Sequence, residues 1–399
     1  MRSPPPDVVP QEQLASRRVA EIQPFEVMEI LARAQRLEAS GRKVVHMEIG
    51  EPDFTAPEPV VQAGVRALQG GLTAYTASLG LAALREAIAG HYAQRFDRRV
   101  SPARIAVTAG ASGALLLTLA ALLDPGDEVL VPDPGYPGYR HFVRAFEGVA
   151  RPVALSPDAG FQPTLEDIDR AWGSRTVAML LGTPSNPSGT VLASEELERI
   201  AAFVAARGGV LIVDEIYQGL VYGRAPATSL GLPGNIVVVN SFSKYFCMTG
   251  WRLGWAVLPE PMVRNVEKLA QHLFICPSAA AQHAALAAFL PETIEILERR
   301  RQEFERRRDF LVPALQSAGL RIRAQPSGAF YIYAECAGLG RDSRTFAIEL
   351  LDAEAVATTP GIDFGSNATR DYVRFAYTSS LEALQEGARR IARYCGRAA

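Results

Sequence analysis

Charge of one sign, cysteine and long apolar runs are all scarce in this sequence, and each scarcity removes a class of function. The 41 basic residues nearly balance the 43 acidic ones, for a net charge of −2. A surface this even has no electrostatic grip on nucleic acid or on an anionic membrane, so neither is expected as a partner. The four cysteines (Cys247, Cys276, Cys336, Cys395) are scattered and form no C-x-x-C. That excludes a disulfide or zinc framework and fits a reducing compartment. The five histidines (His46, His91, His141, His272, His283) have no metal-ligand spacing and no H-E-x-x-H, so no metal site is expected. The longest apolar run, Ala114 to Leu123, is too short to span a bilayer. The opening residues Met1-Arg-Ser-Pro-Pro-Pro lack the apolar core of a signal peptide, which makes the cytoplasm the expected location. Neither G-x-G-x-x-G nor G-x-x-x-x-G-K-[ST] occurs, which weakens dinucleotide and P-loop readings.

What is present is an ordinary globular composition, 48% hydrophobic and 21% charged over 399 residues, enough for two domains with a sizeable core. Residues 1–13 are rich in Pro and Gln and are expected to be loose. Helical spacing over Phe25–Ala39 leads to a short strand, Val44–Gly50, that leaves sharply through Glu51-Pro-Asp-Phe54. Pro57–Leu68 and the segment ending near Arg95 read as helices on either side of a Gly-rich loop, Gly70–Gly80. An alternation then sets in. Strands are predicted at Ile105–Thr108, Val129–Val131, Val153–Leu155, Val177–Gly182, Val210–Val213, Ile236–Asn240 and Trp255–Leu258. Helices between them are clearest at Ala111–Leu123 and Ser194–Ala206. This pattern predicts an α/β fold whose seven-stranded sheet is mostly parallel and covered on both faces.

After Cys276 the chain reads as helical. In Thr293–Gln316 the stretch Glu295–Asp309 carries five acids and six arginines, so it reads as a solvated helix laced with i,i+4 pairs. Two strands (Ala329–Tyr333, Tyr372–Tyr377) and two helices (Ser343–Leu351, Leu381–Arg393) then form a smaller α+β unit. The expected division is 1–49 as an N-terminal arm and part of the small domain, 50–289 as the large domain, and 290–399 as the C-terminal small domain.

In open parallel sheets, ligands lie beyond the carboxyl ends of the strands. The polar residues there form a set. Gly110-Ala-Ser-Gly113 follows the first strand and opens a helix, where small residues and free N–H groups admit an anion. Asn186 follows the fourth strand, in a loop fixed by prolines; the plainer alternative is an ordinary Asn-Pro turn. Asp214 ends Val210-Leu-Ile-Val213, where a carboxylate needs a partner; the plainer alternative is a helix cap. Lys244 follows the sixth strand within Ser241-Phe-Ser-Lys-Tyr-Phe-Cys-Met-Thr-Gly-Trp-Arg-Leu-Gly254. A lysine beside buried apolar sequence loses basicity and becomes nucleophilic. The hydroxyls of Ser241 and Ser243 with the Arg252 fork make a phosphate seat. Nucleophilic lysine beside a phosphate seat points to a Schiff-base cofactor that carries a phosphate.

In this order the segments resemble the fold-type I, class I/II aminotransferases, which use pyridoxal 5′-phosphate (PLP). The likeness runs from about Ile22 to the C-terminus. It rests on Ser241–Gly254, Asn186-Pro-Ser-Gly189, Asp214-Glu-Ile-Tyr217, Tyr75-Thr-Ala-Ser-Leu-Gly80 and Arg374 in Tyr372-Val-Arg-Phe375. Tyr245-Phe-Cys247 is an uncommon filling of the lysine motif, and Gly110-Ala-Ser112 is one variant of several. The resemblance implies that Lys244 holds PLP and later moves the substrate's Cα proton. Asp214 would pair with the ring nitrogen, and Tyr217 and Asn186 would bond the ring oxygen. Tyr136, in Pro134-Gly-Tyr-Pro137, would stack on the ring where many members have Trp or Phe. Gly110, Ala111, Ser112, Ser241, Ser243 and Arg252 would form the phosphate seat. Tyr75 would reach the phosphate in a neighbouring subunit, implying a homodimer with shared sites. Arg374 would grip the substrate α-carboxylate, helped by the Gly50 backbone and Asn186.

The expected reaction is a ping-pong transfer of an amino group from an L-amino acid to a 2-oxo acid, with 2-oxoglutarate as acceptor. A PLP-dependent C–S lyase or decarboxylase on the same fold is the first alternative, because fold does not fix reaction. A PLP-binding protein without catalysis is the second. Substrate choice is expected to reside around Ile22–Phe25, Gly50, a partner's Tyr75 loop and Arg374.

Overall fold

The computed structural model describes residues 16–397; the segment 1–13, expected to be loose, lies outside the described residues. One sheet organises the rest. Its strands, in chain order, are β1 Ile105–Thr108, β2 Glu128–Asp133, β3 Val149–Ala154, β4 Thr176–Gly182, β5 Val210–Asp214, β6 Asn235–Ser241 and β7 Gly254–Val257. Their spatial order is β1-β7-β6-β5-β4-β2-β3. Only β7 runs against its neighbours; every other pairing is parallel.

The apolar runs predict this because they are buried on both faces. In β5, Leu211 and Val213 join one core while Val210 and Ile212 join the other. In β6, Ile236 and Val238 face the first core, and Val237 and Val239 the second. Alternate side chains of a strand point to opposite faces, so a continuous β-branched run needs helices on both sides. The helix Gly110–Leu122 supplies Ala114, Leu115, Leu117 and Leu119 to one face. The helices Ala82–Phe96 and Ala279–Leu286 supply Leu84, Ile88 and Ala284 to the other. β3 is an edge strand, which is where its Pro152 is tolerated.

A smaller α+β region joins the two ends of the chain. Val45–His46 pairs parallel with Val356–Ala357. Tyr372–Ala376 lies between Thr359–Pro360 and Tyr331–Glu335, antiparallel to both. The strand predicted over Val44–Gly50 is therefore shorter than expected. Its partner offers only two residues, and the chain then turns so that its carbonyls face the arginine and lysine of the candidate site. Three helices not singled out in the sequence also form, at Gly138–Ala145, Leu165–Ala171 and Glu260–Leu273, the last ahead of the helical stretch that follows Cys276.

The charged helix Pro291–Ser317 carries the expected pairs, among them Arg301–Glu305 at 3.1 Å and Arg307–Glu303 at 3.0 Å. Arg307 is nonetheless buried, because it also reaches Asp53 at 2.8 Å and ties this helix to the loop after Gly50.

Candidate active site

The carboxyl ends of β4, β5 and β6 open into a cavity of about 530 Å³. Lys244, Asp214, Tyr217, Asn186, Tyr136, Arg252 and Arg374 all line it, with Ala111, Ser112, Ser243 and Gly50. Its cationic side chains, among the described residues, are Lys244, Arg252 and Arg374.

Lys244 is held by one contact, an Nζ–H donated to the Gly50 carbonyl at 2.6 Å. Burial pulls its amine down to about 8, and Arg374 and Arg252 add to the fall; Glu51 and Asp214 oppose it. At pH 7 roughly a tenth of the amine is then neutral, against well under a thousandth for an ordinary lysine, and the neutral form is the one that acts as a nucleophile or base. Asp214 stands across the cavity at the tip of β5. Its Oδ2 accepts the Tyr139 hydroxyl at 2.9 Å and its Oδ1 the Ile216 N–H at 3.1 Å. Burial nevertheless pushes its carboxyl up to about 6, while those two bonds and Lys244 pull it down. A buried carboxylate in this state gains from a cationic N–H partner.

At the other end of the cavity the helix Gly110–Leu122 begins. Gly110 has φ +74°, and a Cβ there would come within 2.6 Å of Arg252 Nη2. The glycine thus lets the guanidinium lie against the helix start, where free N–H groups and a cation converge on one point. Arg252 Nη1 is steadied by the Thr249 carbonyl at 3.0 Å. Ser243 is on the wall. Ser241 stands behind it, its Oγ donating to Ser243 Oγ at 2.9 Å. Gly110 likewise lies behind the lining rather than on it.

Arg374 comes from the middle strand of the small antiparallel sheet. Its Nη1 donates to Asn186 Oδ1 at 3.0 Å, and its Nη2 to the Glu48 carbonyl at 2.5 Å and Thr359 Oγ1 at 3.1 Å. Its Cζ sits 4.3 Å from the centre of the Tyr331 ring. Its Nε is buried with no hydrogen-bond partner among the described residues. A guanidinium so fixed in plane is prepared for a planar anion. Tyr136 closes one side, its ring 6.3 Å from that of Phe25 and 27° from parallel. Tyr75 is not in this cavity; it is 80% exposed.

Three contributors were not predicted. Tyr139 follows Tyr136 by three positions in Pro134-Gly-Tyr-Pro-Gly-Tyr139, and that spacing was the available signal. Asp363 is a buried wall carboxylate whose Oδ1 accepts the Glu26 N–H at 3.1 Å. Tyr331 was read only as part of a strand, yet its Oη is 2.8 Å from that of Tyr217.

The model of the family described as aminotransferase class I and II matches residues 42–391. The chain belongs to the class I and II aminotransferases. It is 39% identical over 381 residues to the (5-formylfuran-3-yl)methyl phosphate transaminase of Methanocaldococcus jannaschii, covering 95% of this chain and 98% of that protein. It is 39% identical to the valine–pyruvate aminotransferase of Mycobacterium tuberculosis, covering 93% and 96%. The crystal structure of an aminotransferase from Mycobacterium tuberculosis superposes with a TM-score of 0.92 at 36% identity, covering 96% of this chain and 99% of that one. This aminotransferase is an enzyme of a family that uses PLP. Among its described residues, no helix is long and apolar enough to cross a membrane, and no group of three or more His, Cys, Asp or Glu could hold a metal.

Proposed function

We propose that this aminotransferase binds PLP in the cavity at the ends of β4–β6 and moves an amino group from an L-amino acid to a 2-oxo acid. The observation that carries the proposal is a half-buried lysine turned into one cavity with Asp214, Arg252 and Arg374, its amine drawn down to about 8. The donor set fits the cofactor. Asp214 lacks a cationic hydrogen-bond donor, and the Gly110–Arg252 corner is a cradle that a Cβ would fill. When bound, PLP supplies an electrophilic carbonyl carbon and a cationic ring that draws electrons from the substrate's α-carbon.

The remaining work falls to side chains. Asp214 would accept the ring N–H and keep it protonated. Tyr217 and Asn186 would donate to the ring oxygen, and Tyr136 would cover a ring face. Ala111, Ser112, Ser243 and Arg252 would hold the phosphate, with Gly110 and Ser241 shaping that corner. Arg374 would take the α-carboxylate, beside Asn186 and the Gly50 backbone. Lys244, once free, would take the α-proton at Nζ. Its bond to the Gly50 carbonyl keeps that amine from swinging away. The two substrates would use the same groups in turn, a ping-pong exchange with 2-oxoglutarate as acceptor.

The same proposal includes a cytoplasmic homodimer in which Tyr75 serves the neighbouring subunit's phosphate; its exposure leaves it available for that. It also includes the division of the chain at 49/50 and 289/290. Reconstitution with PLP tests the core of it. The wild-type protein should develop a visible absorption band that an L-amino acid bleaches while one 2-oxo acid appears. Lys244→Ala should show no lysine-linked band; a band surviving in that variant sinks the assignment.

A further inference from the structure

Tyr331 is fully buried in the floor of the cavity, and its hydroxyl touches two of the elements described above. It lies 2.8 Å from the Tyr217 hydroxyl, with the two rings edge-on at 5.6 Å. It also presses on Gly50, whose Cα carries no side chain where a methyl group would overlap Tyr331 Oη. Gly50 is the residue whose carbonyl holds Lys244. The position is set by the sheet. Ala376 pairs with Tyr331 and Arg374 with Tyr333, so Tyr331 is the diagonal neighbour of Arg374 on one face.

The hydroxyl pair has a direction once its protons are counted. Each phenol has one proton to donate and two lone pairs to accept with. Burial raises both groups well away from ionisation, so both protons stay in place. If Tyr217 spends its proton on the ring oxygen of a bound cofactor, it has none left for Tyr331. The 2.8 Å contact between them is then a hydrogen bond only if Tyr331 is the donor. We propose that Tyr331 is a positioning residue that donates its proton to Tyr217 and so strengthens the bond Tyr217 donates to the cofactor's ring oxygen. A hydroxyl that accepts a bond becomes a better donor, and in a water-poor site the reinforcement is not dissipated. This rests on the reading of the cavity as a PLP site.

The test reads the pH midpoint of the lysine-linked visible band in the holoenzyme, a quantity independent of turnover. A donor to the ring oxygen favours the form with more negative charge there, the deprotonated one, and so lowers the midpoint. Tyr331→Phe keeps the ring and removes only the hydroxyl. It should raise the midpoint by a few tenths of a pH unit, the size of a modest cooperative loss in one hydrogen bond. Tyr217→Phe should raise it further. Adding Tyr331→Phe on that background should move it less than about half as far as on the wild type, because Tyr331 acts through Tyr217. An unmoved or lowered midpoint in Tyr331→Phe, or a shift on the Tyr217→Phe background half as large or more, overturns the proposal. Failure of the wild-type protein to form the band is a different result: it defeats the cofactor reading before any variant is compared.

Discussion

Replacing Arg374 by lysine keeps the charge and removes the fork. In the wild-type site Nη1 and Nη2 each have protein acceptors, and the Tyr331 ring lies under the plane at 4.3 Å. A carboxylate arriving at the guanidinium would meet the second Nη1–H, which Asn186 leaves free, beside the positive charge of the fixed plane. A lysine ammonium is a point donor with no plane, and it leaves either the carboxylate or Asn186 Oδ1 without its hydrogen bond. One hydrogen bond involving a charged group contributes about 1.5–3 kcal/mol. At about 1.4 kcal/mol per factor of ten, kcat/KM for an L-amino acid should fall roughly 10- to 150-fold. Much of that loss should appear in KM, since the carboxylate is held in the ground state as well as the transition state. The control is the amine obtained by deleting the carboxylate from the same substrate. Its reaction, slow in both proteins, should change less than about threefold. The assay is loss of the visible band in the half-reaction, followed for each substrate at several concentrations. An equal loss for the amino acid and the amine would refute the assignment of Arg374 to the carboxylate, as would no loss for either.

Other expectations follow from the same geometry. The half-buried Lys244 ammonium is disfavoured in the folded, cofactor-free protein, with its amine near 8 against 10.5 for the ordinary group. The resulting destabilisation is complete below pH 8 and fades as the pH rises towards 10.5. Lys244→Met should therefore stabilise the cofactor-free protein at pH 7 by up to about 3 kcal/mol, with most of the gain gone at pH 10; urea unfolding at both pH values checks it. Gly110→Ala introduces a Cβ at φ +74° and 2.6 Å from Arg252 Nη2. It should weaken PLP binding about 10- to 100-fold, while pyridoxal without the phosphate binds as before, measured by equilibrium titration. Tyr139→Phe removes a donor from Asp214 Oδ2 and should move its carboxyl further up from about 6. The PLP dissociation constant should then rise about tenfold at pH 8, the equivalent of one hydrogen bond.

Much of this was legible because the sheet is buried on both faces. A β-branched run that must be apolar throughout announces itself, and β1 and the helix Ser194–Ala206 were read to the residue. The polar residues that end such runs are conspicuous for the same reason, which is how Asn186, Asp214 and Lys244 were found. The helix Gly138–Ala145 is hard to see in the sequence because it is only eight residues long and starts on the second of two Pro-Gly steps, which read as turns; its apolar stripe of Tyr139, Phe142 and Val143 covers barely two turns. Tyr139 was lost with it. Tyr331 was missed for another reason. Both of its strands were predicted, but their register was not, and only the register makes Tyr331 a diagonal neighbour of Arg374. Gly50 was proposed for its backbone. That its missing side chain is what admits the Tyr331 hydroxyl is a contact across 281 positions of sequence, and no local pattern carries it.

The central claim, transfer of an amino group rather than elimination or decarboxylation, is tested most directly by a single half-reaction. The PLP form is mixed with an L-amino acid in the absence of any oxo acid, and the products are counted per site. The account predicts one equivalent of 2-oxo acid per site, no free ammonia and no carbon dioxide, with the enzyme then inert until an oxo acid is added. Continued release of ammonia or carbon dioxide beyond one equivalent would contradict it.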